Sequence, residues 1–141
     1  MKNKLVLLIS LCSILMLSCS VEPQKIEYGK DACSFCKMTI VETKFAAQIV
    51  TKKGKAFKYD ATECLLNDLE VKKENSLAYI LVTDYNKPKE LINATEASYL
   101  ISKEIKSPMG AYLSAYKTVE EAKQNGTKLF DWQSLKKHFS N

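Results

Sequence analysis

From Thr39 to Val50 the chain is rich in β-branched and aromatic positions, with Ile40, Val41, Phe45, Ile49 and Val50. The polar tract Lys52-Lys53-Gly54-Lys55 interrupts it with a turn, and Ala56–Tyr59 resumes as a second strand with Phe57 and Tyr59 on one face. Together they predict a β-hairpin. Asp60 with Glu63 three positions on, ahead of Leu65, Leu66 and Leu69, is a capping-box-like start for a helix over 61–70. Leu77 to Thr83 is nearly continuous in apolar residues and predicts a strand buried on both faces.

The second half repeats this order. Glu90–Ile92 reads as a short extension, then Ala97–Ser102 and Ala111–Tyr116 as strands joined through Ser107-Pro108-Met109-Gly110. Thr118 and Glu121 form a Thr-x-x-Glu capping box for a helix through Gln124, which Asn125-Gly126 ends. Lys128–Phe130 reads as a last strand, and Asp131 as the cap of a terminal helix carrying Trp132, Leu135 and Phe139. The expected fold class is α+β. Two pseudo-repeated strand-strand-helix-strand units, residues 31–86 and 87–141, pack as one compact body with a C-terminal helix. Neither half is large enough to bury much by itself.

The first residues belong to a different pattern. Lys2 and Lys4 precede an apolar run from Leu5 to Leu17, too short to span a bilayer comfortably, which is the form of a signal peptide over 1–18. It ends in Leu-Met-Leu-Ser ahead of Cys19, as a bacterial lipoprotein cleavage site does, whereas Cys12 after Leu11 fits poorly. Cys19 would then be lipidated and hold the protein to a membrane outside the cytoplasm, on the periplasmic side. A plain secretory signal cut elsewhere is the alternative. Residues 19–30 show no sustained period and read as a flexible tether.

Charge narrows the partners. Removing Lys2 and Lys4 with the signal takes the net charge from +5 to +3, with the lysines scattered, so nucleic acid is not an expected partner. Five cysteines are present, and setting aside Cys12 and Cys19 leaves Cys33, Cys36 and Cys64. Three thiols exclude an all-cysteine zinc site within one chain. The lone His138 lies in a lysine-rich helix, where a solvated surface role is the simpler reading, and no Ser/His/Asp set or phosphate-binding glycine loop is present.

The stretch Cys33-Ser34-Phe35-Cys36-Lys37-Met38 holds two thiols and a thioether. A Cys-x-x-Cys pair is compatible with structural zinc, a redox disulfide or metal transfer. A thioether beside a thiolate suits a soft ion, above all Cu(I). Equally, Met38 could open a core strand. Met109, between Pro108 and Gly110, could supply a second thioether from a loop or fill the seam between the halves. Cys64 reads as a small buried apolar residue.

Cys33-x-x-Cys36-x-Met38, Phe45-Ala46-Ala47-Gln48, Tyr59-Asp60 before Cys64, and Ala97-Ser98-Tyr99-Leu100 followed by Ser107-Pro108-Met109-Gly110 resemble the NosL family over roughly residues 30–135. The resemblance implies an extracytoplasmic copper lipoprotein that supplies Cu(I) for the catalytic copper–sulfide centre of nitrous-oxide reductase, working with that enzyme's assembly machinery. It also implies paired strand-strand-helix-strand units, a topology shared with organomercurial lyase. By position, Cys36, Met38 and Met109 take the metal, with Cys33 as substitute or reinforcement. Lys37 departs from the family, where glycine is common, and a histidine seen near the second helix of some relatives is missing.

Two other classes stay open. A thiol–disulfide oxidoreductase would use Cys33 and Cys36, although β-branched residues rather than a helix follow them. A structural surface lipoprotein would use the same pair as an inert bridge.

Overall fold

The computed structural model describes residues 21–140, so the expected signal segment and Cys19 lie outside the described residues. Strands β1 (Ala47–Thr51) and β2 (Ala56–Tyr59) form the hairpin, followed by α1 (Thr62–Leu69), a 3-10 turn at Glu74–Ser76, and β3 (Leu77–Thr83). After β4 (Leu91–Asn93) come β5 (Ser98–Ile101), β6 (Leu113–Tyr116), α2 (Val119–Lys123), β7 (Leu129–Phe130) and α3 (Trp132–Phe139). The fold is α+β. Among the described residues, no helix is long and apolar enough to cross a membrane.

The strands form two antiparallel sheets, ordered β2-β1-β3-β4 and β6-β5-β7. In each, the strand that comes first in sequence lies between its hairpin partner and the strand that follows the helix, and β4 adds an edge to the first sheet. The sheets touch where Asp84 bridges Ala115 and the Tyr85 N–H donates to the Ala115 carbonyl at 2.8 Å. One core runs through both halves, from Ile40, Ile49, Tyr59 and Leu65 to Tyr99, Leu113, Trp132 and Leu135. Burying side chains of this size stabilises by about 1.5–3 kcal/mol each. A smaller cluster holds Phe45, Leu100, Ile105, Tyr116 and Ala122, with the Tyr85 ring edge-on to Phe45 at 5.7 Å and tilted against Tyr116 at 5.6 Å between centroids.

Local chemistry accounts for most boundaries. Gly54 takes φ +82° in the hairpin turn, a conformation that costs glycine little. Thr118 and Asp131 both form complete capping boxes, with Glu121 and Ser134 respectively. At Gly126 a Cβ would meet Leu100 Cδ1 at 2.8 Å, so the end of that side chain would have to shift to admit one.

Four expectations change. The strand predicted from Thr39 begins only at Ala47, because 40–46 pass through a turn before the ladder starts. β3 is not buried on both faces, since Ala78 and Tyr79 are exposed where no element covers them. Helix α1 starts from Ala61 with no side-chain cap; Asp60 is buried one position too early for that role. Residues 24–30 lie along the body. The buried Gln48 side chain pairs with both backbone groups of Gln24 at 2.7 Å, Ile26 enters the core, and the Gly29 N–H donates to the Ile40 carbonyl. A buried amide left without partners would be costly, which explains why this stretch docks despite its lack of period.

Candidate metal centre

Residues 33–38 form a closed turn. The Cys33 N–H donates to the Met38 carbonyl at 2.8 Å, the Lys37 N–H donates to the Cys33 carbonyl at 3.1 Å, and Ala32 bridges Thr39. The Ser34 N–H donates to the Lys58 carbonyl at 2.7 Å and docks the turn on β2. Below it, Lys58 Nζ binds Asp31 Oδ2 at 2.6 Å, and this partner holds the Asp31 carboxyl below its ordinary range. Lys37 sits at φ +66°, a left-handed conformation that costs a residue with a Cβ roughly 1 kcal/mol. Its Nζ donates back to the Ser34 carbonyl at 2.5 Å. A glycine at this position would adopt that dihedral at little cost.

Tyr59 and Asp60 then carry the chain into α1, whose first turn contains Cys64. The Sγ atoms of Cys33, Cys36 and Cys64 all lie within 4.8 Å of one another. Cys33 and Cys64 are 1% and 0% exposed, while Cys36 is partly open. All three are free thiols. Hydrogen bonding from Cys64 is the main influence drawing Cys33 toward the thiolate; burial opposes it, and backbone N–H groups of Asp60, Cys36 and Phe35 assist. Cys64 is correspondingly held as the thiol, by that same bond and by burial. Cys64 is a small buried core residue, as expected, but its thiol also joins the cluster, which was not expected. What hid it is the long separation from Cys36: only the docking of the turn on β2 brings them together.

Two carboxyls flank the thiols from within. Asp60 is 3% exposed, and burial raises its pKa, helped by the charge on Cys33. Glu63 is raised mainly by burial; it accepts a short hydrogen bond from Ser107 Oγ and another from the Ala111 N–H. Asp60 Oδ1 and Glu63 Oε2 are buried with no protein partner. Neither residue was expected at the centre, although both stood in the sequence beside Cys64.

Those bonds from Glu63 fasten the second loop. Ser107 also faces the Leu113 N–H, and the Gly110 N–H donates to the Ser107 carbonyl, closing a turn around Met109. Gly110 at φ +77° and Tyr112 at φ +59° shape its exit. Met109 is 39% exposed and Met38 is 61% exposed, so neither is packed away in a core or seam. The structure thus gathers Cys33 and Cys36 with Cys64, sets Met38 at the end of the same turn, and ties the Met109 turn to the residue before Cys64. Phe35, Val41 and Tyr112 are also solvent-facing. His138 lies in α3, its ring tilted against Phe130 at 5.0 Å and edge-on to Phe139 at 5.4 Å between centroids.

The NosL family profile matches residues 23–133, nearly the whole described chain. The chain belongs to the NosL family. Among solved structures, the crystal structure of the copper chaperone NosL from Shewanella denitrificans aligns with a TM-score of 0.69 and 21% identity, over 81% of this chain and 95% of that one. That likeness shows a shared fold. No curated protein matches the sequence. Within the NosL fold, the Cys-x-x-Cys of this member lies in a turn rather than at the start of a helix, which removes the usual means by which a redox pair lowers its thiol pKa.

Proposed function

We propose that this NosL-family protein is a metallochaperone, not an enzyme, that carries Cu(I) outside the cytoplasm. Its cargo goes to the assembly of the catalytic copper–sulfide centre of nitrous-oxide reductase. The observation that carries this reading is the meeting of three thiols, one of them open, with two exposed methionines in support, Met38 ending the turn that docks on β2 and Met109 in a loop tied to Glu63 at the start of α1. Cu(I) is a soft closed-shell ion satisfied by two or three sulfurs, and thioethers bind it without needing to lose a proton. Cys36 is the thiolate that a partner can reach, with Met109 and Met38 as thioethers and Cys33 in support. An exposed set of this kind releases its ion by ligand exchange with a partner's sulfur or imidazole.

Family membership supports the partner, and the solved relative is itself described as a copper chaperone. We place the protein on the periplasmic side of a bacterial membrane, anchored through a lipid on Cys19. Mass spectrometry of the mature N-terminus tests that anchor, and an unmodified Cys19 would remove it. The two strand-strand-helix-strand units, 31–86 and 87–141, are best understood as halves of one body, with the metal centre formed where they meet.

The reduced protein should bind one Cu(I) in preference to Zn(II). The double variant Cys36→Ala with Met109→Leu should lose most of that affinity in a competition titration against a Cu(I) chelator. Unchanged affinity in the double variant would rule the site out. A deletion strain with normal nitrous-oxide reductase activity would rule out the delivery role.

A further inference from the structure

We propose that one Cu(I) ion alternates between two sulfur sets that share Cys36. In the open set, Cys36 with Met38 and Met109, it enters and leaves; in the enclosed set, Cys33, Cys36 and Cys64, it is held. The proposal rests on the copper-carrier reading above and adds a second station to it.

Exposure grades across the five sulfurs in one direction. Cys33 and Cys64 are sealed, Cys36 is intermediate, and Met109 and Met38 are progressively more open. A partner's ligand can therefore reach the ion only at Cys36 and the methionines. An ion surrounded by the three thiols must step outward before it can be handed on.

The enclosed set is close to the size that such an ion needs. Metal–sulfur bonds of about 2.3 Å place three sulfurs in a plane about 4 Å apart, and the thiols here lie within 4.8 Å of one another before any contraction. Cys64 stands in the first turn of α1, where the positive end of the helix dipole suits the negative sulfur that a bound cation creates. Anionic thiolates hold a cation more firmly than neutral thioethers, so the ion rests inside and exchanges outside.

Moving inward is ligand exchange without redox chemistry. The copper bonds to Met38 and Met109 break, bonds to Cys33 and Cys64 form, each thiol that becomes a ligand gives its proton to water, and copper stays monovalent. Cys36 remains bonded throughout. Its exposure, intermediate between the sealed thiols and the open methionines, makes it the ligand common to both sets.

The test loads the reduced protein with one equivalent of Cu(I) and follows transfer to bathocuproine disulfonate by stopped flow. It also follows the methionine methyl groups by carbon-13 NMR. Cys64→Ala should release the ion about tenfold faster, and its Met38 and Met109 methyl signals should shift on loading more than those of the wild type. Met38→Leu with Met109→Leu should do the opposite, slowing release about tenfold while losing less affinity than Cys64→Ala. If Cys64→Ala releases at the wild-type rate, with fully shifted methyls already in the wild type, only the open set exists. The second station then falls and the carrier reading survives. Faster release from both variants would mean a single mixed site and would also overturn the alternation. A wild type that retains no Cu(I) ends both readings. Should Cys64→Ala fail to fold, Cys33→Ser asks the same question of the other sealed thiol.

Discussion

Helices α2 and α3 begin differently from α1, although similar residues stand at all three starts. Thr118 with Glu121, and Asp131 with Ser134, each exchange side-chain and backbone hydrogen bonds in full capping boxes at the surface. Asp60 and Glu63 have comparable spacing, yet neither caps α1. Asp60 is buried against the Cys33 thiol, and Glu63 reaches across to Ser107 and Ala111. The two outer starts secure their own helix. The inner one leaves its helix uncapped and positions a loop from the other half of the chain.

Glu63→Ala should be the most damaging change in this contrast. It leaves the buried Ser107 hydroxyl and Ala111 N–H without their acceptor, a loss of about 1–3 kcal/mol in urea unfolding, and it frees the Met109 turn. Methionine oxidation should therefore speed up at Met109 and not at Met38. If both react as before, Glu63 does not position the turn. Thr118→Ala should cost about 1 kcal/mol, the usual value of an N-cap, and leave copper binding as it was. Changed copper binding there would show that the outer starts are not independent of the centre.

Asp60→Asn should have the smallest effect, a slight gain at neutral pH, since its carboxyl gains little from ionising in its present place. The pH dependence follows from the same cause. Asp60 and Glu63 both have raised pKa values in the folded protein, so the folded state binds more protons than the unfolded one across that interval. Stability from these groups is fully present below their unfolded pKa values and is lost as the pH rises through the folded ones. Asp60→Asn with Glu63→Gln should therefore flatten the fall in urea midpoint between about pH 4 and neutrality. A wild-type midpoint that rises over that interval would contradict the assignment.

Much of this fold was legible from residue order. The 52–55 turn, the β2 strand at 56–59, and the boxes at Thr118 and Asp131 depend on contacts within a few positions, and the sequence displays those directly. Asp60 and Glu63 show the limit. Their spacing satisfied a local rule, but burial next to a thiol and a serine far along the chain competed for the same side chains and prevailed. Cys64 was missed for a related reason: its neighbours Leu65 and Leu66 advertise a core helix, and nothing nearby marks the turn that docks over it. Met38 and Met109 stood out as soft donors, and both are solvent-facing rather than packed in the core.

The clasp between Gln48 and Gln24 has a consequence for reach. A slack segment from Cys19 to Lys30 could extend to about 40 Å, but chain held from Gln24 onward leaves five residue steps, about 17 Å at full stretch. With a lipid at Cys19, the body would ride close above the bilayer on a short lead, sweeping a thin layer of solution. A recipient would then have to come down to that layer to collect its metal, so lengthening the lead, or cutting the clasp with Gln48→Ala, would change which recipients can be served.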